Sequence, residues 1–359
     1  MSAGANAVAS DVRARVMVVD DSAVVRGLIT RQLESDSRLE VVCTASNGEL
    51  ALRELARHPV DVVVLDIEMP VMDGLTALQR IVAEHPGVRV IMASTLTLRN
   101  AEISLKALQL GASDYVAKPE NGLAGAQEFQ RELTSKILAL APRRARPAPA
   151  PASPAARRPI VPALRRTLPQ VLAIGASTGG PPALLQVFEA LKGAVRLPIL
   201  LTQHMPATFT ALLAEQIGRA GDRPCAEARD GEPVVPGRCY VAPGGWHMTV
   251  EREGAGVFIR LNQEPPENFC RPAVDPMLRS VAQAYGPAAL AVILTGMGSD
   301  GAKGCEAIAA AGGRFIVQDE ATSVVWGMPG AAAATGRAEG VLPLSEVGGW
   351  IRRATEVAA

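Results

Sequence analysis

The chain has 359 residues, 48% of them apolar and 20% charged, with 36 acids balancing 36 bases. At about 150 residues per domain this is the size of two globular domains, and the neutral balance points to neither nucleic acid nor a membrane surface as partner. The longest apolar stretches, such as Ala288 to Leu294, fall far short of the ~20 residues of a membrane-spanning helix. Met1 to Val12 lacks the basic region and apolar core of a secretory signal. A cytoplasmic protein without membrane insertion is therefore expected. Cys43, Cys225, Cys239, Cys270 and Cys305 form an odd, scattered set without C-x-x-C. This argues against a disulfide framework and against a cysteine zinc site.

From Arg15 to about Leu140 a strand-then-helix pattern repeats five times. Val16 to Val19 is a short apolar run, followed by Val24, Leu28, Ile29 and Leu33 at helical spacing. Glu40 to Thr44 reads as a strand, and Leu50, Leu52 and Leu55 lie on a helix. Val62 to Leu65 is apolar on both faces, and Leu75, Leu78, Ile81 and Val82 follow as a third helix. Val88 to Met92 and the helix of Ile103, Ala107 and Leu110 come next. A short strand at Tyr115 and Val116 and a helix from Gln127 to Leu140 close the pattern. Continuous apolar runs alternating with amphipathic helices predict a parallel sheet covered on both faces. Such sheets bind ligands at the carboxyl ends of their strands.

Chemistry-bearing residues fall at those ends. Asp20 and Asp21 follow the first strand, Asp66 the third, Ser94 the fourth and Lys118-Pro119 the fifth. Three carboxylates at one sheet edge repel unless a cation joins them, and oxygen ligands suit Mg²⁺. A lysine and a hydroxyl beside them are what a phosphoryl group on a carboxylate needs. Taken singly, such acids read as helix caps; the set reads as a site.

Residues 141–168 differ from both flanks, with seven Pro, eight Ala, seven Arg and no acid among 28 residues. Such a stretch buries too little apolar surface to offset its ordering entropy. It is expected to be a linker, spanning roughly 30 Å as a coil and about 85 Å fully extended. Two domains so tethered meet at an effective concentration on the order of millimolar. The +7 charge of this segment also suits docking to an acidic partner.

Beyond Gln170 the pattern is again mixed. Strands are expected at Val171 to Ile174, Leu197 to Leu201, Cys239 to Val241, Ala289 to Leu294 and Arg314 to Val317, and three of them end in motifs. Gly175-Ala176-Ser177-Thr178-Gly179-Gly180 matches the G-x-S-x-G nucleophile elbow, or equally an anion cradle at a helix N-terminus. Thr202-Gln203-His204-Met205-Pro206 places a histidine at the end of a buried strand, where a base can face the serine. His58 and His85 precede prolines at helix ends, and His247 is expected in a turn. Gly296-Met297-Gly298-Ser299-Asp300-Gly301 reads as G-x-G-x-x-G, with Asp319 about 20 residues on as the acid of a dinucleotide site. Alternatively Asp300 orients His204, since a serine needs a base and the base a carboxylate. An NAD-dependent enzyme using Gly296, Gly298 and Gly301 is thus one alternative. A phosphorylation-controlled binding protein is another.

Val18-Val19-Asp20-Asp21-Ser22, Asp66 to Gly74 and Lys118-Pro119 resemble the receiver domain of two-component response regulators. That resemblance implies a flavodoxin-like fold with Asp66 as phosphoacceptor. It implies Mg²⁺ held by Asp21, Asp66 and the carbonyl of Glu68, with Asp20 assisting through water. It also implies phosphoryl contacts from Ser94 and Lys118, and Tyr115 as a switch aromatic. Ile174 to Gly180, Gln203 to Pro206, Tyr240 to Gly245, Arg271 to Asp275, Thr295 to Gly301 and Gln318 to Pro329 resemble the catalytic domain of chemotaxis protein-glutamate methylesterases. This second resemblance implies Ser177 as nucleophile, His204 as base, Asp300 as its orienter and the Met297 backbone N–H as oxyanion donor, with no cofactor for the ester chemistry. The substrates implied are glutamate γ-methyl esters, and glutamines for deamidation, on chemoreceptor cytoplasmic helices. The implied phosphodonor is a chemotaxis-type histidine kinase. The expected architecture is α/β throughout: a receiver over residues 13–140, a linker over 141–168, and a doubly wound, mostly parallel catalytic domain over 169–359.

Overall fold

A computed structural model describes residues 13–95, 97–118, 122–142 and 167–356. Most of the expected linker and Pro119 lie outside the described residues. The chain divides into two compact units, each built on its own sheet.

The first sheet is laid down by β1 (Ala14–Val19), α1 (Ala23–Glu34), β2 (Leu39–Ala45), α2 (Gly48–Leu55), β3 (Val62–Asp66), α3 (Gly74–Glu84), β4 (Arg89–Ser94), α4 (Leu98–Gln109), β5 (Asp114–Ala117) and α5 (Gly122–Leu140). Its strands run in the order β2-β1-β3-β4-β5, all parallel. This is the flavodoxin-like order. The apolar runs explain the middle of the sheet, since β3 is buried along its whole length. Polar caps start the helices: Ser22, Asn47 and Asp73 accept the first-turn N–H groups of α1, α2 and α3. Each removes one orphan donor that would otherwise weaken the helix.

The second unit runs through β6 (Val171–Ala176), α6 (Gly180–Leu191), β7 (Ile199–Gln203), α7 (Ala207–Gly221), β8 (Cys225–Glu227), β9 (Cys239–Val241), β10 (His247–Glu253), β11 (Gly256–Asn262), α8 (Val274–Tyr285), β12 (Ala289–Ile293), α9 (Ala302–Ala310), β13 (Arg314–Gln318), α10 (Met328–Ala334), β14 (Gly340–Leu342) and α11 (Leu344–Thr355). Seven strands form a parallel sheet in the order β14-β13-β12-β6-β7-β9-β8. From β6 the chain builds outward through β7, then returns to add β12 on the other side. The end of β6 is therefore the point where strand order reverses, the place such sheets bind ligands. Tyr240, Met277, Leu278, Ile293 and Phe315 fill a continuous core beneath it.

The five expected strands of this unit are present. Two short edge strands, β8 and β14, and the antiparallel pair β10–β11 are additional. His247 is not in a turn. It opens β10, is buried, and accepts from the Ala273 N–H at Nδ1 (3.2 Å) while Nε2 bonds the Pro265 carbonyl (3.2 Å).

Candidate functional site

In the first unit Asp20, Asp21 and Asp66 converge at the carboxyl edge of the sheet. Each offers an oxygen, and these lie within 4.8 Å of one another. Asp20 and Asp66 are buried and Asp21 is exposed. Lys118 Nζ reaches both buried carboxylates, at 2.7 Å from Asp20 and 2.6 Å from Asp66. Lys118 is carried there because its N–H bonds the Ser94 carbonyl across the β4–β5 step (2.7 Å), and Ser94 itself is buried. Burial raises the Asp66 carboxyl above its usual range; Lys118 opposes this and Asp20 adds to it. Among the described residues Lys118 is the side chain that pairs with the buried carboxylates, and a divalent cation with oxygen ligands fits the remaining negative charge.

The loop from Ile67 to Asp73 carries Glu68, which is exposed, and turns back on the site. The Gly74 N–H bonds the Ile67 carbonyl (2.9 Å), and a Cβ at Gly74 would stand 2.0 Å from the Asp66 carbonyl oxygen. Only glycine allows that approach. Tyr115 is buried, its ring 5.0 Å from Lys136 Nζ.

In the second unit three adjacent strand ends supply the site. Ser177 follows β6, His204 follows β7, and Asp300 lies in the turn after β12. The Ser177 N–H bonds the Thr295 carbonyl (3.0 Å) and the His204 N–H bonds the Ala176 carbonyl (3.1 Å), so the three segments are laced together. Gln203 adds a clip, its Nε2 donating to the Ser177 carbonyl (3.0 Å) and the His204 carbonyl (3.3 Å). Gly179 turns the chain into α6 at φ +75°, where a side chain would be strained. Gly296 lies against Ser177, since an added Cβ would meet the serine Cβ at 2.8 Å. Met297, half-buried, is the next residue.

His204 Nε2 stands 2.7 Å from Asp300 Oδ2. Asp300 is buried and accepts further from Val274 N (2.6 Å), Asp275 N (3.0 Å), Gly301 N (3.0 Å) and Asn268 Nδ2 (2.9 Å). Burial pushes its carboxyl up, but His204 and the backbone donors outweigh burial and hold it below the usual range. Burial pushes the His204 ring down; Asp300 and Cys270 outweigh that and raise it to about 10. The second ring nitrogen, Nδ1, lies 3.3 Å from Cys270 Sγ. The expected facing of His204 toward Ser177 is therefore modified. Among the described residues no hydrogen bond joins the serine hydroxyl to the ring, whose nitrogens are bonded to Asp300 and Cys270.

Sequence reasoning gave Cys270, Asn268 and Asp275 no role at this site. Asn268 Nδ2 bridges Asp300 and Asp275 Oδ2 (3.1 Å). Asp275 is buried, which raises its carboxyl, and it accepts from Gly304 N (2.7 Å). The dinucleotide reading loses its acid. Asp319 Oδ1 is engaged locally by Thr322 N (3.0 Å) and Thr322 Oγ1 (2.6 Å). The anion cradle is the weaker reading of the serine loop, because a histidine–carboxylate pair stands beside it.

A parallel α/β unit with serine, histidine and aspartate at neighbouring strand ends defines a hydrolase-type centre, and it follows in sequence a unit whose sheet edge gathers three carboxylates and a lysine. Residues 172–351 match the CheB methylesterase family and residues 16–126 match the response regulator receiver domain. A protein-glutamate methylesterase/protein-glutamine glutaminase of Paramagnetospirillum magneticum is 54% identical, covering 94% of this chain and 95% of its own length. The corresponding protein of Azospirillum brasilense is 55% identical, covering 96% of this chain and 93% of its own. The crystal structure of the Thermotoga maritima CheB methylesterase catalytic domain superposes with a TM-score of 0.50 at 38% identity, covering 52% of this chain and 99% of that one. The chain belongs to the CheB methylesterase family, with a response regulator receiver domain ahead of the esterase domain.

Proposed function

We propose that this protein hydrolyses glutamate γ-methyl esters on the cytoplasmic helices of chemoreceptors, and deamidates glutamines there, under control of phosphorylation at Asp66. The observation that carries the esterase is the 2.7 Å pair between His204 and Asp300 beside the glycine-lined turn of Ser177. Ser177 Oγ attacks the ester carbonyl carbon while His204 takes the hydroxyl proton. Asp300 fixes the ring and stabilises the imidazolium. The tetrahedral oxyanion is received by backbone N–H groups, among them that of Met297; one such donor is worth about a hundredfold to a thousandfold in rate. His204 returns the proton to departing methanol, or to ammonia when the substrate is glutamine. A water molecule, deprotonated by His204, then releases the glutamate carboxylate and restores Ser177. No cofactor enters these steps.

In the receiver, Asp66 accepts the phosphoryl group from a chemotaxis-type histidine kinase. Asp21, Asp66 and the Glu68 carbonyl would hold Mg²⁺, with Asp20 helping through water; bound there, the ion supplies charge neutralisation during transfer. Ser94 and Lys118 hold the phosphoryl oxygens, and Tyr115 responds as the switch aromatic. The functional divisions are a receiver over 13–140, a linker over 141–168 and the esterase over 169–359. A substrate on cytoplasmic receptor helices implies action in the cytoplasm; among the described residues no helix is long and apolar enough to cross a membrane.

The test is methanol release from a methylated receptor cytoplasmic fragment, by wild type, Ser177→Ala and Asp66→Asn, with and without Mg²⁺ and acetyl phosphate. Release that needs Ser177 and is stimulated only when Asp66 is present is expected. Release that survives Ser177→Ala refutes the esterase centre. Stimulation that survives Asp66→Asn refutes the phosphoacceptor.

A further inference from the structure

We propose that Cys270 is a positioning residue for the esterase: its thiol holds His204 by the ring nitrogen that must serve Ser177, and so restrains the base at rest. The inference rests on the esterase reading above. With Nε2 committed to Asp300 (2.7 Å), Nδ1 is the nitrogen left to take the serine proton, and it is 3.3 Å from Cys270 Sγ. Each turnover therefore requires Nδ1 to exchange sulfur for the serine hydroxyl.

The segment that delivers the thiol is built for that placement. Glu267 and Cys270 exchange two backbone hydrogen bonds (3.1 and 2.9 Å) across a two-residue turn. Asn268 and Phe269, at the centre of the turn, both have positive φ (+53° and +64°). Asparagine accepts this conformation readily and phenylalanine does not. The turn is held in it from two sides. Glu267 forms a two-bond pair with Arg279 of α8 (2.6 and 2.7 Å). Asn268 Nδ2 donates to Asp300, the same carboxylate that holds the other edge of the ring. Cys270 and Asp300 thus grip His204 from opposite nitrogens and are linked to one another through one turn.

The charge around the ring favours the restrained form. Asp300 faces it directly, Asp275 of α8 and Glu267 stand behind Asp300, and Arg279 and Lys303 of α9 offset Glu267. Asp300 favours the protonated ring, and a ring in that state cannot accept a proton from Ser177.

Full-length Cys270→Ala and Cys270→Ser are compared with wild type by methanol release across pH 5–9. The expected result for Cys270→Ala is a several-fold higher kcat at pH 7, an unchanged KM and an acid limb of kcat/KM displaced to lower pH. Cys270→Ser, which keeps a hydroxyl at Nδ1, falls between. A Cys270→Ala enzyme with the wild-type kcat and acid limb, or a slower one, overturns the proposal. Independently of activity, iodoacetamide alkylation of the Cys270 peptide is followed by mass spectrometry against pH. Its midpoint differs between wild type and His204→Gln, because the variant takes the ring partner from the thiol. The same midpoint in both proteins overturns the pairing even if Cys270→Ala fails to fold. If wild type releases no methanol while the alkylation midpoint moves as expected, the esterase reading fails and the thiol–imidazole pair stands.

Discussion

Replacing Asp300 with asparagine conserves shape and removes one charge, so its cost can be worked from the donors around the carboxylate. His204 Nε2 and Val274 N converge on Oδ2, at 2.7 and 2.6 Å, while Asp275 N, Gly301 N and Asn268 Nδ2 converge on Oδ1. An amide has one oxygen. With that oxygen on the three-donor side, the NH₂ group faces the Val274 N–H and the histidine. Turned round, it faces three donors instead. The first arrangement is the better one, and it still leaves the buried Val274 N–H unpaired, at about 1–3 kcal/mol. It also forces Nε2 of His204 to be an acceptor, which puts the ring proton on Nδ1, the nitrogen that takes the serine proton in the proposed mechanism. In a serine triad the wrong tautomer lowers kcat by about 10⁴-fold, equivalent to about 5.5 kcal/mol of barrier. Methanol release under saturating methylated receptor fragment gives the rate, and thermal unfolding gives the stability. An Asp300→Asn enzyme within tenfold of wild type, folded and with an unchanged midpoint, would refute the orienting role of this carboxylate.

Further outcomes follow from other contacts. Gly180→Ala puts a Cβ 2.0 Å from Gln203 Oε1; it should displace the clip on Ser177 and His204, cost about 1–3 kcal/mol of stability and slow methanol release, both read on one purified variant. His204 is raised to about 10 in the folded state, above its usual ~6.5. Its contribution to stability is therefore full below about pH 6.5 and is lost as pH rises toward 10. The wild-type denaturation midpoint, less that of His204→Gln, should shrink across that window; a constant difference would contradict it. Removing divalent cations with EDTA should abolish stimulation by acetyl phosphate and leave basal methanol release unchanged. A fall in the basal rate would place a metal in the esterase chemistry.

Much of the fold was legible because fully buried parallel strands write themselves as unbroken apolar runs. Val62 to Leu65 and Ala289 to Ile293 are plain examples. The pair β10–β11 was not, because only one of its faces is buried. Met248, Val250, Val257 and Ile259 alternate with exposed or half-exposed neighbours such as Glu251, Arg252 and Arg260, and no run forms. β8 and β14 have three residues each, too few for any periodicity. That Ser177, His204 and Asp300 lie near one another was legible because each follows a strand within a distinctive local motif. Cys270, Asn268 and Asp275 have no such marking. They reach the site only through the Glu267–Cys270 turn and the start of α8, which tertiary packing brings against Asp300. The expected serine–histidine facing was read from motifs at strand ends, which suggest neighbourhood and say nothing of which ring nitrogen turns where.

The lacing of Ser177, His204 and Asp300 onto β6, β7 and β12 also governs the order in which the unit opens. Those strands lie in the interior of a seven-stranded sheet, and their amides exchange with solvent only in the rarest, most global openings. The Glu267–Cys270 turn hangs from this slab by a few side-chain bonds, and so opens by far smaller excursions. Deuterium uptake should therefore be slow at the roots of Ser177, His204 and Asp300 and fast along the segment bearing the thiol. A centre with a rigid side and a labile side can have its proton traffic adjusted by local breathing, while the positions of the reacting groups stay fixed.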